Sequence, residues 1–229
     1  MKKYLPLVLI VVLAIIAWFS GLRDYFSFAV LKENQQTLEL YVLNNKIMAI
    51  LIYVGLYILV VALSIPGATF MTLVGGFFFN QILGTFLVVS AATIGATILF
   101  LGTKLASRDL IKEKAGPWVQ KMQKGFKENA TYYLLTLRLI PIFPFVAINL
   151  VAAILQIPLR TFILGTFFGI MPGSFVYVSI GVGLHDVLQK EEFSVNLLLE
   201  PKILLAFIGL GILVLLPVLY KYYKKKKIN

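Results

Sequence analysis

The chain has no cysteine and a single histidine, His185. Without cysteine there are no disulfides, iron–sulfur ligands or thiol nucleophiles. One histidine without cysteine leaves a metal site short of its usual ligands, so neither metal nor cofactor is expected. Charge is scarce as well: 14% of the 229 residues are charged, against about a quarter in soluble domains. The gaps say more than the average. No charged residue occurs between Lys46 and Lys104, and only Arg138 and Arg160 occur between Glu128 and Asp186. Those segments supply no paired carboxylates and no Ser/His/Asp set, which argues against an enzyme.

What fills the gaps is apolar: 60% of the chain is hydrophobic. Uncharged apolar runs of this length are membrane spans rather than soluble core. The reading is an all-α, polytopic helical membrane protein. Its net charge of +11 is concentrated in residues 104–127 and 221–227, which flank hydrophobic segments. That placement follows the positive-inside rule and attraction to anionic headgroups, so membrane lipids are the expected partners and nucleic acid is not. The tail is accordingly placed in the cytoplasm and the protein in the plasma (inner) membrane.

Residues 5–19 form the first span. Their basic start resembles a signal peptide, but no small-x-small cleavage site follows, which favours an uncleaved anchor. Residues 21–46 read as a partly amphipathic surface helix, and 47–63 as a second span. Pro66 and Gly67 then break the helix. The next twelve residues, 68–79, rise only ~18 Å as a helix, against a ~30 Å hydrocarbon core. A re-entrant hairpin over about 65–83, ending at Asn80 and Gln81 and containing Gly75 and Gly76, fits better than a span. Residues 84–103 make a full span whose small residues, Gly95 among them, suit close helix contact. Trp118, Met122 and Phe126 share one face of an interfacial helix within about 107–129. Residues 160–182 and 203–220 are further spans, with an external loop between them.

Crossing parity tests this map. If both basic segments are cytoplasmic, one of the three apolar elements between them must enter and leave on the same side. Residues 131–158, broken by Pro141 and Pro144, are the obvious one. In the first half, a re-entrant 65–83 places the N-terminus outside, against Lys2 and Lys3, whereas a full crossing keeps it inside. Both remain open. The organisation is thus an anchor and linker (1–46), a core (47–182), and a loop, last span and basic tail (183–229). A faint internal echo pairs Leu-Val-Gly-Gly at 73–76 with Leu-Val-Ala-Ala at 150–153, each after a proline break. Facing repeats of opposite topology are a recurring transporter plan.

Three stretches carry a family resemblance: RLIPIFPFVAIN at 138–149, IPLRTFILGTFFGIMPGSFVYVSIG at 157–181, and SAATIGATILFLGTKLASRD at 90–109. Together they resemble the DedA superfamily, also called VTT-domain or SNARE-associated Golgi proteins, in the branch shared with eukaryotic Golgi vesicle membrane proteins. The likeness covers roughly residues 60–182. It implies two opposed re-entrant helical hairpins packed between spans, and lipid scrambling or polyprenyl-phosphate transport. Some relatives are thought to couple to protons through intramembrane acids. This chain departs there, with no Asp or Glu in residues 47–103 or 129–183. It also has Ala152 and Ala153 where glycine is common, and Lys104 where arginine is.

Arg138 is the sharpest single signal, because a charge at membrane depth costs at least ~2.5–3.5 kcal/mol. Either it faces a hydrated groove and holds a lipid phosphate, or it caps carbonyls freed by Pro141 and Pro144 or snorkels to the interface. The two prolines free backbone groups that must line protein or a wet cavity, where half-helix N-termini favour an anion. Asn149 and Asn80 are headgroup candidates, each equally able to serve an interhelical hydrogen bond. Arg160 is read as snorkelling, with groove entry as its other role. Gly169, Pro172 and Gly173 shape the span behind the second hairpin. The expected function is a lipid transporter or scramblase, with a homo-oligomer open. The alternatives are a non-transporting membrane scaffold and a small-ion transporter.

Overall fold

The structure, a computed structural model, describes residues 5–19, 28–114, 130–139 and 143–189. Within these residues it is all-helical, with no strand. The helices are α1 (Leu5–Phe19), α2 (Phe28–Glu33), α3 (Gln35–Asn44), α4 (Lys46–Ala62), α5 (Ala68–Phe79) and α6 (Gln81–Lys114). They continue with α7 (residues 130–139), α8 (Phe145–Ile154) and α9 (Leu159–Gln189). Pro141, the Trp118 face, the external loop beyond 189, the last span and the basic tail lie outside the described residues.

Among the described residues, two helices are long and apolar enough to cross a bilayer, over Gln81–Ala106 and Leu159–His185. A third span is added if α3 and α4, which meet at 118°, are taken as one broken element. The protein is an integral, multi-pass membrane protein. Large apolar side chains such as Leu51, Ile82, Phe86 and Phe168 lie exposed on its flanks, as hydrocarbon permits and water would not. The long helix α6 runs past the expected end of its span to Lys114.

The same pattern occurs twice. A helix (α4, α7) ends at a proline-bearing break, a short apolar helix follows (α5, α8), and a tight turn leads into a long span (α6, α9). Both α4 and α8 close with the same cap. Ile65 N–H donates to Val60 O and Ser64 N–H to Val61 O; Ile157 N–H donates to Ala152 O and Gln156 N–H to Ala153 O. This double bond pattern requires a left-handed residue after the helix, and Ser64 (φ 56°) and Gln156 (φ 58°) take it without being glycine. At Gly67 the requirement is stricter: its φ of 140° is a region that L side chains rarely enter.

The short helices pack across the repeats, α5 chiefly on α9 and α8 on α6, while α4 covers the other side of α6. Glycine makes the α5–α9 contact possible. A methyl group at Gly76 would strike the Val178 carbonyl, and one at Gly181 would strike the Leu73 carbonyl. On the α4 side, Gly95 lies against Val61 and the Ile58 carbonyl, and Gly75 against the Tyr53 hydroxyl. Close approach of this kind replaces the hydrophobic drive that lipid does not supply.

Candidate functional site

Both breaks open on one cavity of about 250 Å³. Val61, Ala68 and Thr69 reach it from the first break, and Leu137, Arg138, Phe143 and Phe145 from the second. Its depth follows from the long helices behind it. Ala92 lies near the middle of Gln81–Ala106, and Ile170, Gly173, Ser174 and Tyr177 straddle the middle of Leu159–His185. The cavity therefore lies at about half the length of both candidate spans.

Among the described residues, Arg138 is the only charged one on its wall; it is 8% exposed. The side chain comes from the last turn of α7 and bridges to both neighbouring elements. Its guanidinium donates to the Phe145 carbonyl at 3.4 Å, to Asn149 Oδ1, and to Thr166 Oγ1 at 3.1 Å. Asn149 and Thr166 are fully buried. The guanidinium lies 4.3 Å from the Phe145 ring centre and 5.6 Å from that of Phe162, so weak aromatic attraction replaces a carboxylate counterion. Phe162 is stacked on Phe100 at 4.1 Å, and Lys104 lies over the far side of the pair, 5.0 Å from the Phe100 ring. Two cations thus bracket one buried aromatic stack.

Arg138 links α8 and α9 to α7, a bridging contact that is neither the capping of proline-freed carbonyls nor the snorkelling weighed from sequence. It is not fully satisfied by this: Arg138 Nε and Asn149 Nδ2 are buried with no hydrogen-bond partner among the described residues. A guanidinium bordering a cavity has the chemistry to hold an anion by charge-assisted hydrogen bonds.

The opposite wall is hydroxylic. Tyr57 Oη and Thr72 Oγ1 share a hydrogen bond of 2.9 Å, Thr72 also donates to the Ala68 carbonyl, and Thr69, Ser174 and Tyr177 complete the lining. Of the residues singled out by sequence, Arg138 and Asn149 come together here. Gly173 lines the cavity, and Gly169 lies against the Arg138 stem. Pro144 caps α8, and Pro172 lies inside the continuous helix α9. Pro66 lies in the first break. Asn80 and Arg160 are exposed and do not line the cavity; Asn80 (φ 62°) makes the turn from α5 into α6.

Sequence reasoning missed Tyr57, Thr72, Thr166, Ser174 and Tyr177. A signal was present in α9, where Thr166, Ile170, Ser174 and Tyr177 recur at helical spacing and set hydroxyls along one face. The pattern of a VTT domain matches residues 65–183. The chain belongs to the VTT domain family. Its VTT domain encloses α5 to α9 and therefore both short helices, while Tyr57 and Val61 bring α4 to the cavity from outside it.

Curated relatives carry related names. A Transmembrane protein 41 homolog from Dictyostelium discoideum is 30% identical over 195 residues, 84% of this chain and 56% of the relative. Transmembrane protein 41B of Mus musculus is 31% identical over 144 residues, 61% of this chain and 49% of the relative. That of Gallus gallus is 30% identical over 180 residues, 76% of this chain and 64% of the relative. The chain spans about half the length of the first of these relatives. No solved structure matches it.

Proposed function

We propose that this VTT protein moves phospholipid or polyprenyl-phosphate headgroups across the bilayer without chemical conversion. One observation carries the reading: a buried guanidinium, with no carboxylate partner among the described residues, borders a largely apolar cavity that carries several hydroxyls, where two helix breaks meet at mid-span. Two opposed re-entrant hairpins, over about 65–83 and 131–158, lie within a core of residues 47–182 and carry the breaks. The cavity between them admits water and a headgroup, and Arg138 receives the phosphate while the tails stay in lipid. The basic tail faces the cytoplasm, and the protein resides in the plasma (inner) membrane. Membrane lipid is its partner, and a homo-oligomer is compatible with the exposed flanks.

The test is reconstitution in liposomes carrying a fluorescent lipid, with movement between leaflets read by quenching. Wild type is expected to move lipid well above empty vesicles, and Arg138→Ala to fall towards them. Equal rates for wild type, Arg138→Ala and empty vesicles would end this reading.

A further inference from the structure

Around Arg138 the buried donors outnumber their acceptors. Arg138 Nε and Asn149 Nδ2 both lack a partner among the described residues. Asn149 cannot correct this by turning its amide over, because Oδ1 already accepts from the guanidinium. Both atoms need an acceptor, and buried N–H groups without one are costly until it is supplied. The adjoining wall adds Tyr57, Thr69, Thr72, Ser174 and Tyr177 but no carboxylate. Its volume of about 250 Å³ lies below the ~300–1,000 Å³ of pockets that hold whole small ligands. A headgroup fits that space better than a complete lipid.

We propose that this cavity, on the lipid-moving reading above, selects headgroups by the charge beyond the phosphate. It takes phosphate esters whose remaining groups are neutral or absent, ahead of those that end in an ammonium. Phosphate oxygens in the cavity accept from the Arg138 guanidinium that borders it, by charge-assisted bonds. A glycerol-type hydroxyl can both give and accept among the wall hydroxyls. An ammonium, whether protonated or quaternary, brings positive charge and no acceptor, and meets no carboxylate among the described lining residues. In a site of low dielectric it is also repelled by the guanidinium. The face of Phe145, which could hold a cation, already carries Arg138 at 4.3 Å.

Acyl-labelled phosphatidylglycerol, polyprenyl phosphate, phosphatidylcholine and phosphatidylethanolamine, each as a trace in the same vesicles, separate the cases. The first two are expected to move about tenfold faster than the last two, the factor one unpaired buried polar group produces. Ser174→Asp places an acid on the wall and should shrink or reverse that ratio; Thr69→Asp serves the same purpose if the first variant does not fold. Equal protein-dependent rates for all four lipids overturn the selectivity and leave the lipid-moving reading standing. No movement of any lipid overturns that reading instead. Native mass spectrometry of the detergent-solubilised protein then decides selectivity alone: about tenfold preference for phosphatidylglycerol over phosphatidylcholine supports it, and equal occupancy sinks it.

Discussion

Gly169 of α9 lies directly against the aliphatic stem of Arg138: a methyl group at Gly169 would come within 2.6 Å of Arg138 Cβ. The guanidinium is therefore positioned from behind as well as by its hydrogen bonds. Gly169→Ala should displace it, destabilise the protein by about 1–3 kcal/mol, and lower lipid movement although the charge is still present. Gly173→Ala, only one helical turn on, meets nothing within 4 Å and should leave the melting temperature in detergent unchanged. Similar melting temperatures for the two variants would contradict this placement.

Asn149 offers a test of charge without loss of packing. Asn149→Asp keeps the acceptor for Arg138 and adds a negative charge, giving a compact Arg–carboxylate pair. The variant should fold and melt no lower than wild type, yet lose most lipid movement because the anion site is now neutral. Asn149→Leu should do the opposite to stability, costing about 1.5–3 kcal/mol by removing a buried acceptor from a charged donor. Thermal unfolding and the liposome assay together separate the two effects.

The α5–α9 seam rests on paired glycines facing main-chain carbonyls, Gly76 on Val178 and Gly181 on Leu73. A carbonyl on a packed helix cannot swing aside as a side chain can. Gly76→Ala and Gly181→Ala should each destabilise by at least about 1–3 kcal/mol. The double variant should cost less than the sum, because helices already forced apart at one point no longer clash fully at the other. Thermal melts of the four proteins measure the coupling.

The absence of native cysteine makes every introduced thiol a clean reporter. Thr69→Cys and Ser174→Cys, on the cavity wall, should react in liposomes with small water-soluble thiol reagents. Leu164→Cys, at a site 44% exposed on the outer flank of α9, should not, since its thiol faces hydrocarbon. Protection of both cavity thiols would mean a dry cavity and no path for a headgroup.

Several features were legible in the chain before folding. Pro66 and Pro144 locate both breaks to within a few residues, because proline removes a donor and excludes helix before it. The family resemblance, drawn from residues 60–182, agrees with a VTT domain over 65–183. Arg138 stood out because charge is so costly in an apolar span. Asn149 could be named as a candidate but not assigned: a lone polar residue in a greasy run has no partner until the chain folds. Asn80 looked equivalent to it, whereas Arg160 read as snorkelling; both lie exposed, away from the cavity.

Composition and order along the chain determined that this is a helical membrane protein, where its helices break, and which residue carries the charge between them. These follow from local physics: hydrophobic length, proline sterics and the cost of a bare ion. Tertiary structure alone decided that the two breaks face one cavity, and that Thr166, from a different helix, joins Asn149 in holding Arg138. It also set Tyr57 and Thr72 on the cavity wall with Arg138. Hydroxyls on apolar helices bond their own backbone or a neighbour equally well, so only the packing of α4, α5 and α9 selects which of them face the charge.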